Sequence, residues 1–342
     1  MNIYVNASNI HIGGGKTILT DLINAAKYFR AINFIIFIDP RFLIPDYIHK
    51  NIVFNKVGKH KRFTVCFLID RRTTINDIVL YLTNIPPIIK HKCKTFLVQS
   101  NRFVIDGFKL SGFPIITKLR ICSERLLFWI NNNNTDYIIV QSDSMSSVLL
   151  KKGISKDKIK IIACKSKDDD VKSLNIQNYH KPNNVFLYVS SDEPHKNHKT
   201  LIESWCLLSK EGIFPKLILT IGKTSDLYEL IMSSIIEFKL DIDIKPNLQR
   251  NEILDLYKHS TALIYPSLFE SYGLPLIEAG QYNLPVLASE LDYVRDILDP
   301  VETFDPKSAK SIARSVKRFL KIDDEKTDIV DPKEFINNVI KL

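Results

Sequence analysis

The chain has 342 residues, of which 45% are hydrophobic and 25% are charged, a balance that is typical of folded globular proteins and excludes a disordered chain. Because single hydrophobic cores stop growing at roughly 250–300 residues, this length predicts two domains with a cleft between them. Eleven glycines and fifteen prolines without a Gly-X-Y period exclude a collagen-like fold.

The five cysteines indicate a reducing compartment. They are odd in number, contain no Cys-x-x-Cys pair and have no His partners at metal-ligand spacing, so neither a disulfide framework nor a structural zinc is expected. The N-terminus lacks a basic segment followed by a long apolar run, and no window approaches the roughly 18 uncharged apolar residues of a membrane span. We therefore expect a cytoplasmic protein.

The net charge of +9 is unevenly distributed. Residues 1–180 carry about 27 Lys and Arg against about 13 Asp and Glu, and the remainder carries about 20 against about 25. A genome rich in A and T raises the Lys content everywhere, so it does not easily explain this contrast. The basic half predicts an anionic partner: a phospholipid surface, a pyrophosphate-bearing substrate or nucleic acid. Nucleic acid is disfavoured because no basic stretch with interleaved aromatic residues is present.

The first half alternates short apolar runs with helical patterns. Residues 1–7 and 32–39 are predicted strands, and residues 17–29 between them form a predicted amphipathic helix. Further strands are predicted at residues 63–70, 94–99 and 135–142, and helices at residues 125–130 and 144–153. This alternation predicts a parallel sheet covered on both faces.

A polar segment at residues 165–184, ending in Lys-Pro-Asn-Asn, predicts an exposed connection, and we place the domains at residues 1–178 and 179–342. The second half repeats the alternation. Its predicted strands are residues 184–190, 216–222, 241–246, 262–267 and 285–289, and its predicted helices are residues 198–212, 226–240, 250–260, 275–283 and 308–321. Two such doubly wound domains surround one cleft with the carboxyl ends of their sheets, where ligands bind.

Gly13, Gly14 and Gly15 lie between the first strand and the first helix, where a turn can bring backbone N–H groups against a phosphate or a sugar. Two familiar motifs do not fit. A P-loop would need glycine in place of Ile10, and the dinucleotide fingerprint would need glycine in place of Ile18. A tight turn without a ligand stays an alternative.

The most informative segment is residues 263–280, in which Glu270 follows a buried strand and Pro275 starts a helix that contains Glu278. N–H groups at the start of that helix can receive a diphosphate. The two carboxylates can accept hydrogen bonds from a sugar hydroxyl and a ribose diol. Each carboxylate alone is equally compatible with a solvated loop or helix face.

Glu270 and Glu278, separated by seven residues and set between Tyr-Pro-Ser and Ala-Gly, resemble the E-x7-E element of the retaining glycosyltransferase family 4, of the bacterial surface-polysaccharide type. Four further segments resemble that family: Gly13–Gly15, Glu193–Asn197, Pro285–Ala288 and Phe304–Pro306. The resemblance implies a GT-B fold, with two Rossmann-like α/β domains facing a central cleft. It also implies a nucleotide-diphosphate sugar held by the second domain, an acceptor held by the first, and no metal or other cofactor.

Residue roles follow from the same resemblance. Lys196 matches the lysine that meets the donor diphosphate, a role that suits a point charge. Glu278 matches the carboxylate that binds the ribose, and Glu270 matches the one nearest the transferred sugar, so Glu270 and Lys196 are the catalytic candidates. The implied donor-binding set is Gly13, Gly14, Gly15, Ser190, His195, Lys196, Gly273, Leu274 and Glu278.

The chain departs from the family pattern at Ser190 and Ser191, where many members have Gly-Arg. Without that arginine, either Lys196 and backbone dipoles hold the diphosphate, assisted by His195 or Lys223, or donor binding is weak.

A second departure lies in the first domain, where many members have a histidine. Gln99, Asn101 and Arg102 instead resemble the Gln-Asn-Arg segment of a bacterial polysaccharide branch, and their side chains could hydrogen-bond sugar hydroxyls. The alternative is a strand-end turn with Arg102 in solvent.

Two metal-site patterns are interpreted as structural. Asp241 and Asp243 match the letters of an Asp-x-Asp motif, but they begin a short strand without neighbouring acidic residues. His195 and His198 have no carboxylate or Cys partners nearby in sequence.

The expected function is transfer of a sugar to a glycan or to a lipid-pyrophosphate acceptor in surface polysaccharide or lipopolysaccharide synthesis. The alternative, favoured by Ser190 and Ser191, is a non-catalytic GT-B-like protein that binds nucleotide sugar or glycan. The basic first domain also predicts peripheral contact with the cytoplasmic face of an anionic inner membrane. The cations named for that contact are Lys56, Lys59, Lys61, Arg62, Lys90, Lys92 and Lys94.

Overall fold

The computed structural model describes residues 1–11, 13–45, 49–163, 184–223 and 226–322. Residues 165–183 of the proposed connection, the boundary between residues 178 and 179, and the C-terminal residues 331–342 lie outside the described residues.

The first sheet has seven strands in the order β3-β2-β1-β4-β5-β6-β7, and all neighbouring strands are parallel. Its strands are β1 (Asn2–Ala7), β2 (Asn33–Ile38), β3 (Ile52–Lys56), β4 (Ile78–Tyr81), β5 (Lys94–Val98), β6 (Tyr137–Val140) and β7 (Ile159–Ile161). The helices of this half are α1 (Gly13–Ala26), α2 (Val65–Arg72), α3 (Arg102–Ile105), α4 (Ile115–Asn131) and α5 (Asp143–Lys151). Two apolar cores form within this half.

The second sheet has six strands, all parallel, in the order β10-β9-β8-β11-β12-β13. Its strands are β8 (Val185–Tyr188), β9 (Lys216–Leu219), β10 (Ile242–Ile244), β11 (Ala262–Tyr265), β12 (Val286–Ser289) and β13 (Glu302–Phe304). Its helices are α6 (His198–Lys210), α7 (Asp226–Phe238), α8 (Arg250–His259), α9 (Leu274–Gln281), α10 (Asp292–Arg295) and α11 (Ala309–Phe319). One core unites these elements.

The expected fold class is therefore confirmed, with two doubly wound parallel sheets. In each sheet the strand order reverses beside the first strand of that sheet. This reversal falls between β1 and β4 in the first sheet and between β8 and β11 in the second. A crevice forms at such a point because the connections leave the sheet in opposite directions there, and ligands bind in it.

The predicted strand at residues 63–70 is wrong, because the segment is mainly helix α2. Val65, Cys66 and Ile69 are buried while Phe67 and Leu68 are exposed, which is a helical and not an alternating pattern. The run is so continuously apolar that its period could not be read from the sequence.

Strands β3, β4, β7 and β13 were not predicted, because each has only three to five residues. Helix α1 also begins at Gly13, four residues before the predicted start, so the glycines form its first turn.

Two variants test the helical structure of α2. A strand would place Phe67 and Ile69 on one face, whereas the helix buries only Ile69. We expect Ile69→Ala to lower the free energy of unfolding by about 2–4 kcal/mol, and Phe67→Ala to lower it by less than about 1 kcal/mol. Urea unfolding followed by circular dichroism measures both values, and equal losses would contradict the helix.

Candidate functional site

The candidate site is built around an ion pair at the reversal point of the second sheet. Lys196 lies in the loop after β8, and Glu270 lies in the loop after β11. The Nζ of Lys196 donates to Glu270 Oε1 at 2.6 Å, and the two side chains are only 14% and 10% exposed. Each charge is stable with so little exposure only because the other neutralises it, since an unpaired buried charge is strongly destabilising.

Hydroxyl groups complete the surroundings of the Glu270 carboxylate. Tyr265 OH and Ser267 Oγ both donate to Glu270 Oε1, at 2.9 and 2.6 Å. Burial would raise the pKa of this carboxyl, but Lys196 and the hydroxyl of Ser267 outweigh burial and hold the pKa below its usual value. Glu270 is therefore ionised at neutral pH and is a weak base.

The turn that carries Lys196 is fixed by Asn197, which sequence reasoning placed in the matched segment but gave no role. Asn197 has a φ of +62°, and its amide donates to Pro266 O at 3.0 Å and to Pro306 O at 2.6 Å. Asparagine tolerates this left-handed conformation better than most residues. The side chain thus joins the Lys196 turn to the end of β11 and to the loop after β13.

Glu278 lies in the second turn of α9 and is buried. Its carboxylate forms an ion pair with Arg250, which begins α8, and accepts a hydrogen bond from Tyr257 OH at 2.8 Å. Arg250 and Tyr257 were missed by sequence reasoning, since neither belongs to a motif that the sequence shows. Arg250 brings a second cation to the α9 side of the site.

The starts of α1 and α9 approach each other across the cleft. Gly273 precedes α9 with a φ of +67°, a conformation that glycine adopts without strain. A Cβ on Gly14 would lie 3.1 Å from Leu274 Cδ1, so a side chain at position 14 would crowd α9. Both helices direct the positive ends of their dipoles to this region, which favours an anion.

Ser190 is engaged within the second domain, whereas His195 packs against the first domain. Ser190 N–H donates to Thr220 Oγ1 at 3.1 Å, and its hydroxyl lies 3.0 Å from His198 Nε2. His195 is buried and packs edge-on against Phe103, with ring centroids 5.0 Å apart. Burial lowers the pKa of His195, and neighbouring Lys196 lowers it further, so the ring is neutral at pH 7.

The three first-domain candidates follow β5: Gln99 and Asn101 lie in the loop, and Arg102 begins α3. Gln99 is fully buried, and its Nε2 donates to Asn101 O at 2.8 Å. Asn101 caps α3 by accepting from Phe103 N–H at 3.1 Å. The loop is held by Asn84, whose Oδ1 accepts from the N–H groups of Ser100 and Asn101 at 2.6 and 3.0 Å. Asn84 is a positioning residue that the sequence did not identify.

Arg102 crosses the cleft and does not lie in open solvent. Its Nη1 donates to Glu270 O at 3.3 Å, and its guanidinium lies 4.8 Å from the ring centroid of Phe269. Phe108 stacks on the same ring at 4.3 Å. These contacts couple the first domain to the loop that carries the catalytic candidate.

Lys223 is exposed in the loop after β9, at the same sheet edge as Lys196, and its assisting role stays a prediction. Asp241 immediately precedes β10, in which Asp243 pairs with Lys245 at 3.3 Å. Across the described ranges, no three His, Cys, Asp or Glu side chains are grouped so that they could hold a metal ion.

Comparison with known proteins gives a family match for the second half. Residues 170–334 match the family described as "Glycosyl transferases group 1". The O-antigen chain mannosyltransferase RfbU of Salmonella typhimurium is 30% identical over 142 residues, which are 40% of this chain and 39% of that protein. The serotype-specific mannosyltransferase WbdA of Escherichia coli is 27% identical over 139 residues, 40% of this chain and 17% of that protein. The match thus spans well under half of each relative.

Solved structures extend the likeness to both halves. The lipopolysaccharide outer core galactosyltransferase WaaB has a TM-score of 0.64 at 16% identity, covering 94% of this chain and 90% of that one. HepE of Anabaena, in complex with UDP and glucose, has a TM-score of 0.63 at 14% identity with the same coverage. At these identities the likeness shows the fold alone. The chain therefore has the GT-B fold, and its residues 170–334 match the group 1 glycosyl transferase family.

His198 gives the site a testable dependence on pH. Burial lowers the pKa of its imidazole from the usual 6.5 to about 4. Below pH 6.5 the unfolded chain binds a proton that the folded chain does not, so stability falls as the pH is lowered. We expect a loss of about 2 kcal/mol between pH 7 and pH 5 from this group.

Urea unfolding of the wild type and of His198→Gln at pH 7 and pH 5 measures this contribution. The variant should lose less stability on acidification than the wild type. A His198→Gln variant with an undiminished pH dependence would show that another group is responsible.

Proposed function

We propose that the protein is a retaining glycosyltransferase of the family 4 type that transfers a sugar from a nucleotide-diphosphate donor to a glycan or lipid-linked acceptor in surface polysaccharide or lipopolysaccharide synthesis. The observation that carries the proposal is the Lys196–Glu270 pair beside the start of α9. An ammonium, a helix start and a carboxylate meet there at a point where doubly wound sheets bind ligands.

In the proposed donor complex, Lys196 meets the diphosphate together with the N–H groups at the start of α9. Pro275 has no N–H and Leu276 N–H donates to Gly273 O at 2.9 Å, so Gly273 and Leu274 supply the leading N–H groups. Charge that develops on the leaving diphosphate is stabilised by these groups. Gly13, Gly14 and Gly15 approach from the opposite domain.

Glu278 accepts from the ribose hydroxyls in this proposal. Both of its oxygens already accept hydrogen bonds, Oε1 from Arg250 and Oε2 from Tyr257, and each oxygen keeps a second lone pair for a ligand. Ser190 and Ser191 provide no cation at the place where many family members have an arginine. In this proposal Arg250 supplies the second cation instead.

The reaction proceeds by front-face attack. The bond from the anomeric carbon to the diphosphate oxygen breaks, the acceptor oxygen bonds to the same face, and its proton passes to the leaving diphosphate. Glu270 is too weak a base to take that proton, because Lys196, Tyr265 and Ser267 stabilise its ionised form. Its role is to orient the transferred sugar, with Gln99, Asn101 and Arg102 on the other side of the cleft. No metal takes part.

The proposal includes a cytoplasmic location with peripheral contact at the inner membrane. Among the described residues, no helix combines the length and the apolarity needed to cross a membrane. The lysines named for membrane contact divide between two edges of the first sheet: Lys56 ends β3 and Lys94 begins β5. Because the strands are parallel, these residues lie at opposite edges. Only the lysines near Lys56 share the edge that faces the cleft.

Nucleotide binding tests the donor site. UDP, GDP, ADP and dTDP are titrated by calorimetry with EDTA present and again with Mg²⁺. We expect one of them to bind equally well in both conditions. Lys196→Ala and Glu278→Ala should each weaken that binding by about tenfold or more, the worth of a lost charge-assisted hydrogen bond.

Glu302→Ala serves as the matched control, because Glu302 pairs with Arg318 at the start of β13, the far edge of the same sheet. The Glu302→Ala variant should bind the nucleotide with the affinity of the wild type. If none of the four nucleotides binds under either condition, the chain is a degenerate shell and not a transferase.

A further inference from the structure

Rings from both domains form one cluster beside the Lys196–Glu270 pair. Its members, which we call the interdomain cluster, are Phe103, Phe108 and Phe113 of the first domain and His195 and Phe269 of the second. Neighbouring ring centroids in the cluster lie between 4.3 and 5.9 Å apart, a range in which aromatic pairs attract each other. The two domains therefore meet through ring packing at the donor site.

The two second-domain rings are direct neighbours of the charged pair along the chain. His195 precedes Lys196, and Phe269 precedes Glu270. Both rings are deeply buried, with exposed fractions of 6% and 5%. Because consecutive residues are joined by a planar peptide of fixed length, a displacement of either ring moves the backbone that carries one of the two charges.

Phe103 contacts both of these rings from the first domain. Its ring centroid lies 5.0 Å from that of His195 and 4.7 Å from that of Phe269. Within the second domain, the loops that carry these two rings are joined by a hydrogen bond from Leu268 N–H to His195 O at 2.8 Å. Phe103 therefore packs against a unit that is made of both loops.

The other two first-domain rings each contact one second-domain ring. Phe113 stacks on His195 with the ring planes 16° apart, and Phe108 stacks on Phe269 with the centroids 4.3 Å apart. The backbone approaches closely as well. Gly112 has a φ of +81°, and a Cβ at this position would lie only 3.2 Å from Cβ of Pro194. The segment 102–113 thus packs directly against the turn that carries Lys196.

Helix α4 anchors this segment through Arg125. The Nε of Arg125 donates to Phe103 O at 2.7 Å, and its Nη2 donates to Phe108 O at 3.0 Å. A guanidinium presents its donors in a fixed planar geometry, so one side chain holds two carbonyl groups at a set separation. Arg125 belongs to no motif that the sequence shows, and sequence reasoning gave it no role.

These contacts form a continuous path from α4 to the ion pair. The path runs from Arg125 to Phe103, then to the two second-domain rings, and from these rings to the charged residues beside them. Arg102, which precedes Phe103 in α3, adds a second contact through its hydrogen bond to Glu270 O. Contiguous packing of this kind carries energetic coupling between separate groups.

The ion pair is sensitive to small displacements. The Nζ of Lys196 lies 2.6 Å from Glu270 Oε1, and such a contact is lost when donor and acceptor move apart by about 1 Å. A diphosphate oxygen that binds the same ammonium has the same geometric requirement. Support for the backbone at both charges therefore affects how tightly the donor binds.

We propose that Phe103 is a positioning residue of the donor site, which acts through His195 and Phe269, and that Arg125 holds Phe103 for this role. Both residues act through others and not by contact with the donor. The affinity for the donor is then set in part by the segment 102–113 of the opposite domain. This inference rests on the proposed function and adds to its donor site two first-domain residues that no motif identifies.

The affinity of Phe103 variants for the nucleoside diphosphate that the wild type binds is the first test. We expect Phe103→Ala to weaken that binding by about five- to tenfold in calorimetry, because both loops lose their support. Phe103→Leu keeps part of the apolar contact and should lose less affinity than Phe103→Ala. Wild-type affinity in Phe103→Ala would overturn the proposal.

A matched pair of arginines on one helix tests the anchor. Arg125→Met should weaken nucleotide binding by about threefold or more, because the segment 102–113 loses two hydrogen bonds. Arg120→Met, at an exposed residue of the same helix α4, should bind as the wild type does. Equal affinities of Arg125→Met and Arg120→Met would overturn the proposal.

A different contact between the domains serves as the control for their relative orientation. Asp296 Oδ2 accepts a hydrogen bond from Ser144 N–H at 2.9 Å, at the start of α5. Asp296→Ala removes this contact without touching the interdomain cluster and should leave the nucleotide affinity within about twofold of the wild type. A loss as large as that of Phe103→Ala would assign the effect to domain orientation and overturn the proposal.

A double-mutant cycle with Lys196→Met separates positioning from a purely structural role. If Phe103 acts by placing the ammonium, Phe103→Ala should have little further effect on nucleotide affinity once the ammonium is gone. Losses that add fully in the double variant would show that Phe103 acts elsewhere and would overturn the proposal.

Thermal unfolding of the same four proteins keeps this inference distinct from the proposed function. If Phe103 supports the ion pair, Phe103→Ala should lower the midpoint of the wild type by more than that of Lys196→Met, in which the pair is already lost. This result without any nucleotide binding would contradict the proposed function and retain the role of Phe103. If Lys196→Ala weakens nucleotide binding while Phe103→Ala does not, the proposed function stands and only this inference fails.

Discussion

The ion pair between Lys196 and Glu270 is the constraint on which the rest of the site depends. Two charges with so little exposure are stable only as a pair. Several neighbouring side chains hold the two groups in contact. Asn197 fixes the turn of the lysine, while Tyr265 and Ser267 hold the carboxylate. In the proposed donor complex, the diphosphate competes with Glu270 for the ammonium of Lys196. Glu270 therefore keeps the ammonium of Lys196 in place and partly neutralises it.

Each sheet has one point at which the strand order reverses, and the functional groups at the two points differ. The second sheet carries the ammonium, the two carboxylates and a helix start, whereas the first carries a cavity with cations and apolar walls. The close approach of Gly14 to Leu274 and the hydrogen bond from Arg102 to Glu270 O bring the first domain against the site of the second sheet. In this account, donor and acceptor meet where the two sheets face each other.

The sequence was sufficient for the features that depend on local pattern. Buried parallel strands are continuous apolar runs, and the spacing of Glu270 and Glu278 on either side of a helix start is visible in one dimension. Contacts between residues that are distant along the chain could not be predicted from the sequence. Arg250 meets Glu278 across 28 positions, and Asn84 holds Ser100 across 16. The strand predicted at residues 63–70 failed because tertiary burial of one helical face, and not the composition of the run, decides its structure.

The most direct test of the account is the affinity of Glu270→Gln for the nucleoside diphosphate that the wild type binds, with Lys196→Met and the double variant completing a double-mutant cycle. If Glu270 competes with the diphosphate for Lys196, Glu270→Gln should bind the nucleotide more tightly than the wild type, by about threefold or more. That gain should vanish in the Lys196→Met background. Weaker binding by Glu270→Gln, or an equal effect in both backgrounds, would contradict the exchange of the ammonium between carboxylate and diphosphate.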